Sequence, residues 1–207
     1  MKGIDVSYVQ GKIGWEQLKG QIDFAVIRMG YGSDIKSQDD QEFERNVSEC
    51  ERLGIPWGSY LYSYALSEEE AYSEAAHAIR LLKEKKPTFP IWYDMEDADN
   101  YKKKRKGLNS DKLIKWCEIF CSELEQAGYY VGIYASVSWF DSYLNSNRLD
   151  RYDKWVAHWA KSCGYSGKYG MWQYTSQGKV NGIFPLDCNL AYQDYPSIIK
   201  KAHLNHW

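Results

Sequence analysis

Eight short runs rich in Val, Ile, Tyr and Trp recur along the chain, and their number constrains the fold more than any other feature. They are Lys2–Tyr8, Phe24–Gly30, Trp57–Tyr64, Pro90–Glu96, Tyr130–Ala135, Lys154–Ala160, Gly170–Tyr174 and Ile183–Asn189. Runs of this length and composition read as β-strands. Helical patterns separate the early ones. Asp40–Leu53 repeats apolar residues at Phe43, Val47, Cys50 and Leu53 and stops at Gly54, a natural C-terminal cap. Ser67–Lys85 opens with the Ser67/Glu70 spacing of a capping box. Ser110–Ala127 sets Leu113, Cys117, Phe120, Cys121 and Leu124 on one face and ends at Gly128.

Strand and helix in alternation imply a parallel sheet with right-handed crossovers, and eight strands suggest closure into a barrel. Only about ten residues separate strands six, seven and eight, in stretches such as Ser162–Lys168 and Thr175–Gly182. A crossover helix hardly fits there. The expected fold class is therefore α/β, an irregular TIM-like barrel. It has about five βα units and three closing strands, the last open to mixed direction. With 207 residues and no linker or repeat, residues 1–207 read as one domain.

A net charge of -2 favours neither nucleic acid nor an anionic membrane as partner. No run reaches the ~20 apolar residues of a membrane span, and a monomer is expected. The sequence after Met1 lacks a signal peptide's apolar core. Action outside the cell would then need another route, phage-encoded release included, or a leader already removed. The five Cys (Cys50, Cys117, Cys121, Cys163 and Cys188) are odd in number and lack CxxC spacing, so they read as structural thiols. The run Lys102–Lys106 reads as a solvated loop, or else as a patch drawn to anionic wall polymers.

Chemistry concentrates in strand four, Pro90-Ile91-Trp92-Tyr93-Asp94-Met95-Glu96. Strand alternation gives Trp92, Asp94 and Glu96 one face, with the carboxylates ~7 Å apart along it. Two acids at the C-terminal end of a barrel strand are costly unless solvated, paired or used, and active sites of barrels lie at that end. Asp5 in strand one and Asp187 in strand eight reach the same rim once the barrel closes. Like charges crowded together hold one carboxyl protonated near neutral pH, which is the equipment for glycosidic bond cleavage. Two rivals stay open: turn-capping by the individual Asp residues, and a divalent cation held by oxygen ligands. No His stands at ligand spacing beside the acids, which argues against zinc but not against magnesium or calcium; no cofactor is expected.

The chain is also rich in aromatic residues, with 18 Tyr and 9 Trp, more than a core of this size is expected to require. Tyr31, Tyr60, Tyr62, Tyr134, Trp159, Trp172, Gln173 and Tyr174 all fall near the C-terminal ends of the expected strands. Together they suggest a platform for sugar rings. Arg28 ends strand two and is expected either to pair with a rim acid or to form a structural ion pair. His158 alternates with Ala157 and Trp159 and is expected to point outward, for packing.

Gly3-Ile4-Asp5-Val6-Ser7, Val26-Ile27-Arg28-Met29-Gly30-Tyr31-Gly32, Gly58-Ser59-Tyr60-Leu61-Tyr62, Asp94-Met95-Glu96, Trp155-Val156-Ala157, Trp172-Gln173-Tyr174 and Asp187-Cys188-Asn189 occur in this order. Together they resemble the glycoside hydrolase family 25 lysozymes, from Lys2 to about Tyr192. The resemblance implies an N-acetylmuramidase acting on bacterial peptidoglycan, in the wall or outside the cell. It makes Glu96 the general acid. Asp94 becomes either the nucleophile or the group that orients and stabilises the substrate's 2-acetamido group. Asp5 and Asp187 would support the site. A catalytically inactive wall-binding module on the same fold is the alternative, and retention of Asp94 and Glu96 speaks against it. Leu61 departs from the pattern, standing where many members carry His. No wall-binding repeats follow the barrel.

Overall fold

The computed structural model describes residues 1–207. Its eight strands are β1 (Lys2–Val6), β2 (Phe24–Tyr31), β3 (Trp57–Tyr62), β4 (Ile91–Asp94), β5 (Val131–Ser136), β6 (Asp153–Ala157), β7 (Met171–Val180) and β8 (Ile183–Ala191). They close a barrel in sequential order. Strands β1 to β7 run parallel, and β8 lies antiparallel to both β7 and β1. The helices are α1 (Trp15–Leu18), α2 (Phe43–Leu53), α3 (Glu68–Leu82), α4 (Tyr101–Lys104), α5 (Ser110–Gln126), α6 (Val137–Ser142) and α7 (Tyr195–Lys201). Each of β1 to β5 is followed by helix, no helix lies between β6, β7 and β8, and α7 follows β8.

Local chemistry sets the helix ends. The α2 helix starts at Phe43 rather than Asp40 because the Asp40 carboxylate is committed elsewhere. It accepts from the backbone N–H of Tyr8 and of Glu42 and from Arg28 Nε. Gly54 ends α2 in the left-handed region at φ 70°. At α3 the Ser67 hydroxyl accepts from Glu70 N, but the Glu70 carboxylate takes the N–H of Leu66 instead of Ser67. The reciprocal half of the expected capping box is thus displaced by one residue.

Between Thr175 and Gly182 the structure departs from the expected loop. Strand β7 continues to Val180, and the chain turns at Asn181-Gly182, both with positive φ, into β8. An Asn-Gly pair between strands is a strong hairpin signal, here masked by the surrounding Gly and Ser. Register shifts along β7·β8 bend the hairpin out of the barrel wall.

Two apolar layers form. The larger lies between sheet and helices and takes the outward strand residues, Ile4, Ile27, Leu61, Ile91, Tyr93, Met95 and Ile133 among them. Leu61 is fully buried there, on the face of β3 opposite Tyr60 and Tyr62. The second layer fills the barrel's lower interior with Phe24, Phe89, Trp92, Trp155 and Tyr195. Phe24 stacks on Phe89 with ring centroids 4.4 Å apart. Tyr195, from α7, closes the floor and donates to Asp153 Oδ2 at 2.6 Å. Gly132 faces inward on β5, where a Cβ would strike the Trp92 ring. Trp15, Trp57, Trp92, Trp116, Trp155 and Trp172 are all buried. The Trp excess therefore serves the core first, against the expectation that a core this size did not need it; each such burial contributes ~1.5–3 kcal/mol. All five Cys are free thiols, four of them buried and Cys163 half-buried.

No helix is long and apolar enough to cross a membrane.

Candidate active site

Above the aromatic floor the inward residues become polar. Asp5 on β1 stands opposite Asp187 on β8, and Asp94 ends β4. Glu96 lies two residues past the end of β4, in the turn that follows, because the strand stops sooner than expected. Asp5 and Asp94 are buried, while Glu96 and Asp187 are half-buried. The structure thus gathers all four acids in one cup, two beneath and two at its mouth.

Amide side chains hold the lower part. Gln173 Nε2 and Asn189 Nδ2 both donate to Asp5 Oδ2, at 2.9 and 2.7 Å. Their orientation follows from indole N–H groups, which can only donate. Trp159 Nε1 donates to Gln173 Oε1 at 3.0 Å, and Trp155 Nε1 donates to Asn189 Oδ1 at 2.8 Å. Tyr134 OH also donates to Gln173 Oε1. Asp5 Oδ2 therefore faces two N–H groups, and a proton on Asp5 belongs on Oδ1.

Electrostatics follow from this crowding. Burial, then the nearby Asp187, push the Asp5 carboxyl up to about 8, against the pull of the two amides. Burial raises Glu96 to about 7; Lys102 opposes this, and Asp187, Asp97 and Asp99 add to it. Burial and then Glu96 push Asp94 well above the ordinary carboxyl range, with Lys102 and Arg28 opposing. Burial lifts Asp187 to about 6. Asp94 Oδ1 is buried and has no hydrogen-bond partner. No three His, Cys, Asp or Glu side chains are arranged to hold a metal ion.

Two hollows flank the acids. One, of about 630 Å³, is lined by Glu96, Tyr134, Ser138, Asp141, His158 and Trp159. Trp159 leaves 63% of its surface exposed although its N–H is held, as a stacking platform requires. The other is lined by Tyr8, Arg28, Tyr31, Tyr62, Tyr64 and Asp99. Tyr60 is half-buried, its ring edge-on to Trp155 at 6.0 Å.

Arg28 takes the second of its two expected roles, a structural ion pair: it meets buried Asp40 at 2.8 Å and lies against the Tyr8 ring. Two expectations need correction. Tyr174 is not brought to the cup: Gln173 points inward, so its neighbour takes the outer face against Trp172, 5.7 Å away. His158 lines the Glu96 hollow, because β6 ends at Ala157 and strand alternation no longer governs it. Its Nδ1 accepts from Gly164 N at 2.8 Å, which ties down the loop after Trp159.

Sequence reasoning missed Lys102 and Asn189 as residues of the site. Asn189 lies two residues from Asp187 on the same strand face, a period-two signal that could have found it. Lys102 is buried, while Lys103 to Lys106 are exposed. The reading of this run as a solvated loop therefore fails at its first residue, and nothing in the run distinguishes that lysine.

A sequence model of the glycosyl hydrolases family 25 matches residues 4–183. Lysozyme M1 of Streptomyces globisporus is 27% identical over 202 residues, covering 88% of this chain and 64% of that protein. The modular autolysin LytC from Streptococcus pneumoniae, solved with a synthetic peptidoglycan ligand, superposes with a TM-score of 0.81. It is 30% identical, covering 91% of this chain and 46% of LytC. The catalytic domain of endolysin ply40, from a bacteriophage of Listeria monocytogenes, gives a TM-score of 0.75. It is 27% identical, with 97% of both chains covered. The chain thus spans under two thirds of the length of the first two relatives and nearly all of the third.

Proposed function

The chain belongs to the glycosyl hydrolases of family 25, and from that membership we propose that it is a lysozyme acting on bacterial cell-wall peptidoglycan. The bond cleaved is the β-1,4 link from N-acetylmuramic acid to N-acetylglucosamine. One observation carries the reading: Glu96 opens into the same hollow as the exposed Trp159 ring, with Asp94 buried behind it. A sugar stacked on Trp159 would lie within reach of a carboxyl that burial keeps protonated to about pH 7.

Glu96 gives its proton to the glycosidic oxygen as the bond to the muramic acid C1 breaks. The proton and both bonding electrons leave with the glucosamine hydroxyl. Asp94 Oδ1, an acceptor without a donor, takes the N–H of the 2-acetamido group. The acetamido carbonyl oxygen then attacks C1, and water, activated by the Glu96 carboxylate, completes hydrolysis. Asp187, ionised above about pH 6, favours positive charge developing at C1, while Asp5 beside it holds the proton of the pair.

The decisive experiment is digestion of purified peptidoglycan, borohydride reduction and mass spectrometry. Reduced muramic acid ends are expected. Reduced glucosamine ends would assign a glucosaminidase instead.

A further inference from the structure

The basic run after β4 contains one lysine that does not behave as a surface residue. Lys102 is 1% exposed. Its ammonium donates to the main-chain oxygen of Ser63, just beyond β3, and to that of Glu96 at 3.2 Å. The first turn of α4 is fixed from the same place, since the Asp97 carboxylate accepts the N–H of Lys102 at 2.7 Å and of Lys103 at 3.0 Å. Tyr62 OH takes the N–H of Ala98, and Tyr64 OH donates to Asp99. The turn carrying Glu96 is thus pinned to the end of β3 on both sides, with Lys102 as the buried pin.

We propose that Lys102 is a positioning residue of the reaction, whose fixed ammonium holds the Glu96 turn and sets the field in which Asp94 and Glu96 exchange protons. This rests on the lysozyme reading above. The ammonium acts on Asp94 and Glu96, and Glu74 of α3 and Cys117 of α5 are also among the groups that act on it. Glu74 is itself buried and raised to about 7, held by Tyr93 OH at 2.5 Å. The Tyr62 and Tyr64 rings each lie 5.9 Å from Nζ. Burial lowers the Lys102 value, and Glu74, Asp94 and Asp97 act against that. Around the acids the other charged groups are Asp5, Asp187, Asp97, Asp99 and Arg28. Arg28 is committed to Asp40, so Lys102 is the cation that acts on both strand-four acids.

The sign of its effect is fixed. A cation beside a carboxyl favours the ionised form. Without it Glu96 keeps its proton to higher pH, and Asp94 ionises later.

The test is the pH profile of kcat/KM on purified peptidoglycan for wild type, Lys102→Met and Lys102→Gln, with circular dichroism to verify folding. Both variants lose the charge, while the Gln side chain retains an N–H donor and covers the case in which Lys102→Met does not fold. Both limbs are expected to move upward by about half a pH unit or more, with KM nearly unchanged because Lys102 touches no substrate. Lys103→Met, with the same charge change on an exposed neighbour, should leave the limbs in place. A folded Lys102 variant that is weaker but keeps the wild-type limbs assigns the residue a structural role and overturns the proposal. Loss of the underlying reading is distinguishable, because wild type itself would then release no reduced muramic acid ends.

Discussion

Asp5 and Asp187 face each other across the antiparallel join of β1 and β8, so the seam that closes the barrel places two carboxyls side by side. Directly opposed like charges destabilise a strand pair. Here each is raised into the range where at least one stays protonated near neutral pH, Asp5 to about 8 and Asp187 to about 6. The seam is tolerated because a proton and two amide donors occupy it.

Replacement of the proton donor gives the plainest outcome. Glu96→Gln keeps the size and half-buried position of the side chain and removes the acid. Peptidoglycan clearing should fall by about 100- to 10,000-fold while the thermal midpoint is kept or rises. Clearing at the wild-type rate by a folded Glu96→Gln protein would remove Glu96 from its role.

The course through Asp94 makes a separate demand on the substrate. Peptidoglycan with N-deacetylated muramic acid has no acetamido carbonyl to attack C1. Its turnover should drop by about 100-fold or more, with binding affected less. Equal turnover of both walls would favour Asp94 as a direct nucleophile.

Stability should fall with rising pH. The values of Asp5, Glu96 and Asp187, and the direction for Asp94, all lie above those of the free carboxyls. Between about pH 4 and 8 the folded protein therefore binds more protons than the unfolded chain, so stability decreases across that window. Asp39, lowered by Arg80 and His77, works in the opposite sense but only at more acid pH. Thermal unfolding at pH 5 should exceed that at pH 8, and Asp5→Asn should flatten the slope. A melting curve independent of pH would contradict the buried, shared proton.

Gln173→Leu strips Trp159 and Tyr134 of their acceptor and Asp5 of one donor. Each orphaned polar group costs about 1–3 kcal/mol. A lower unfolding midpoint in urea and reduced activity from a loosened Trp159 are expected. Gln173→Glu should recover little, since it adds a fifth acid to the cup.

Metal removal supplies a further check. EDTA is expected to leave peptidoglycan clearing unchanged, because no side chains converge as a metal site.

The alternation of strand and helix was legible because period-two and period-3.6 patterns are local. The acids were legible for the same reason, as Asp5 and Asp94 lie at the C-terminal ends of β1 and β4, and Asp187 pairs with Asp5 across the closing seam. What escaped was set by contacts that no local period encodes. Spacing left both roles of Arg28 open, and buried Asp40 decides between them. Lys102 is buried because Ser63 and Glu96 offer it main-chain oxygens. Tyr174 was misplaced through neglect of alternation, since its neighbour Gln173 takes the inner face. The resemblance to a known family supplied the expected role of Glu96 and the two alternatives for Asp94, which spacing alone did not give.

The amides that orient Asp5 come from residues 168 and 184 positions later in the chain. Such distant pairing is costly to form and comes late. A nascent chain can carry strand four, with Asp94 and Glu96, well before Gln173, Asp187 and Asn189 have been synthesised. Hydrolytic competence should therefore arrive with the final strand, and an interrupted translation product would have the proton donor without its cup. In this architecture the onset of activity waits for the strand that closes the barrel.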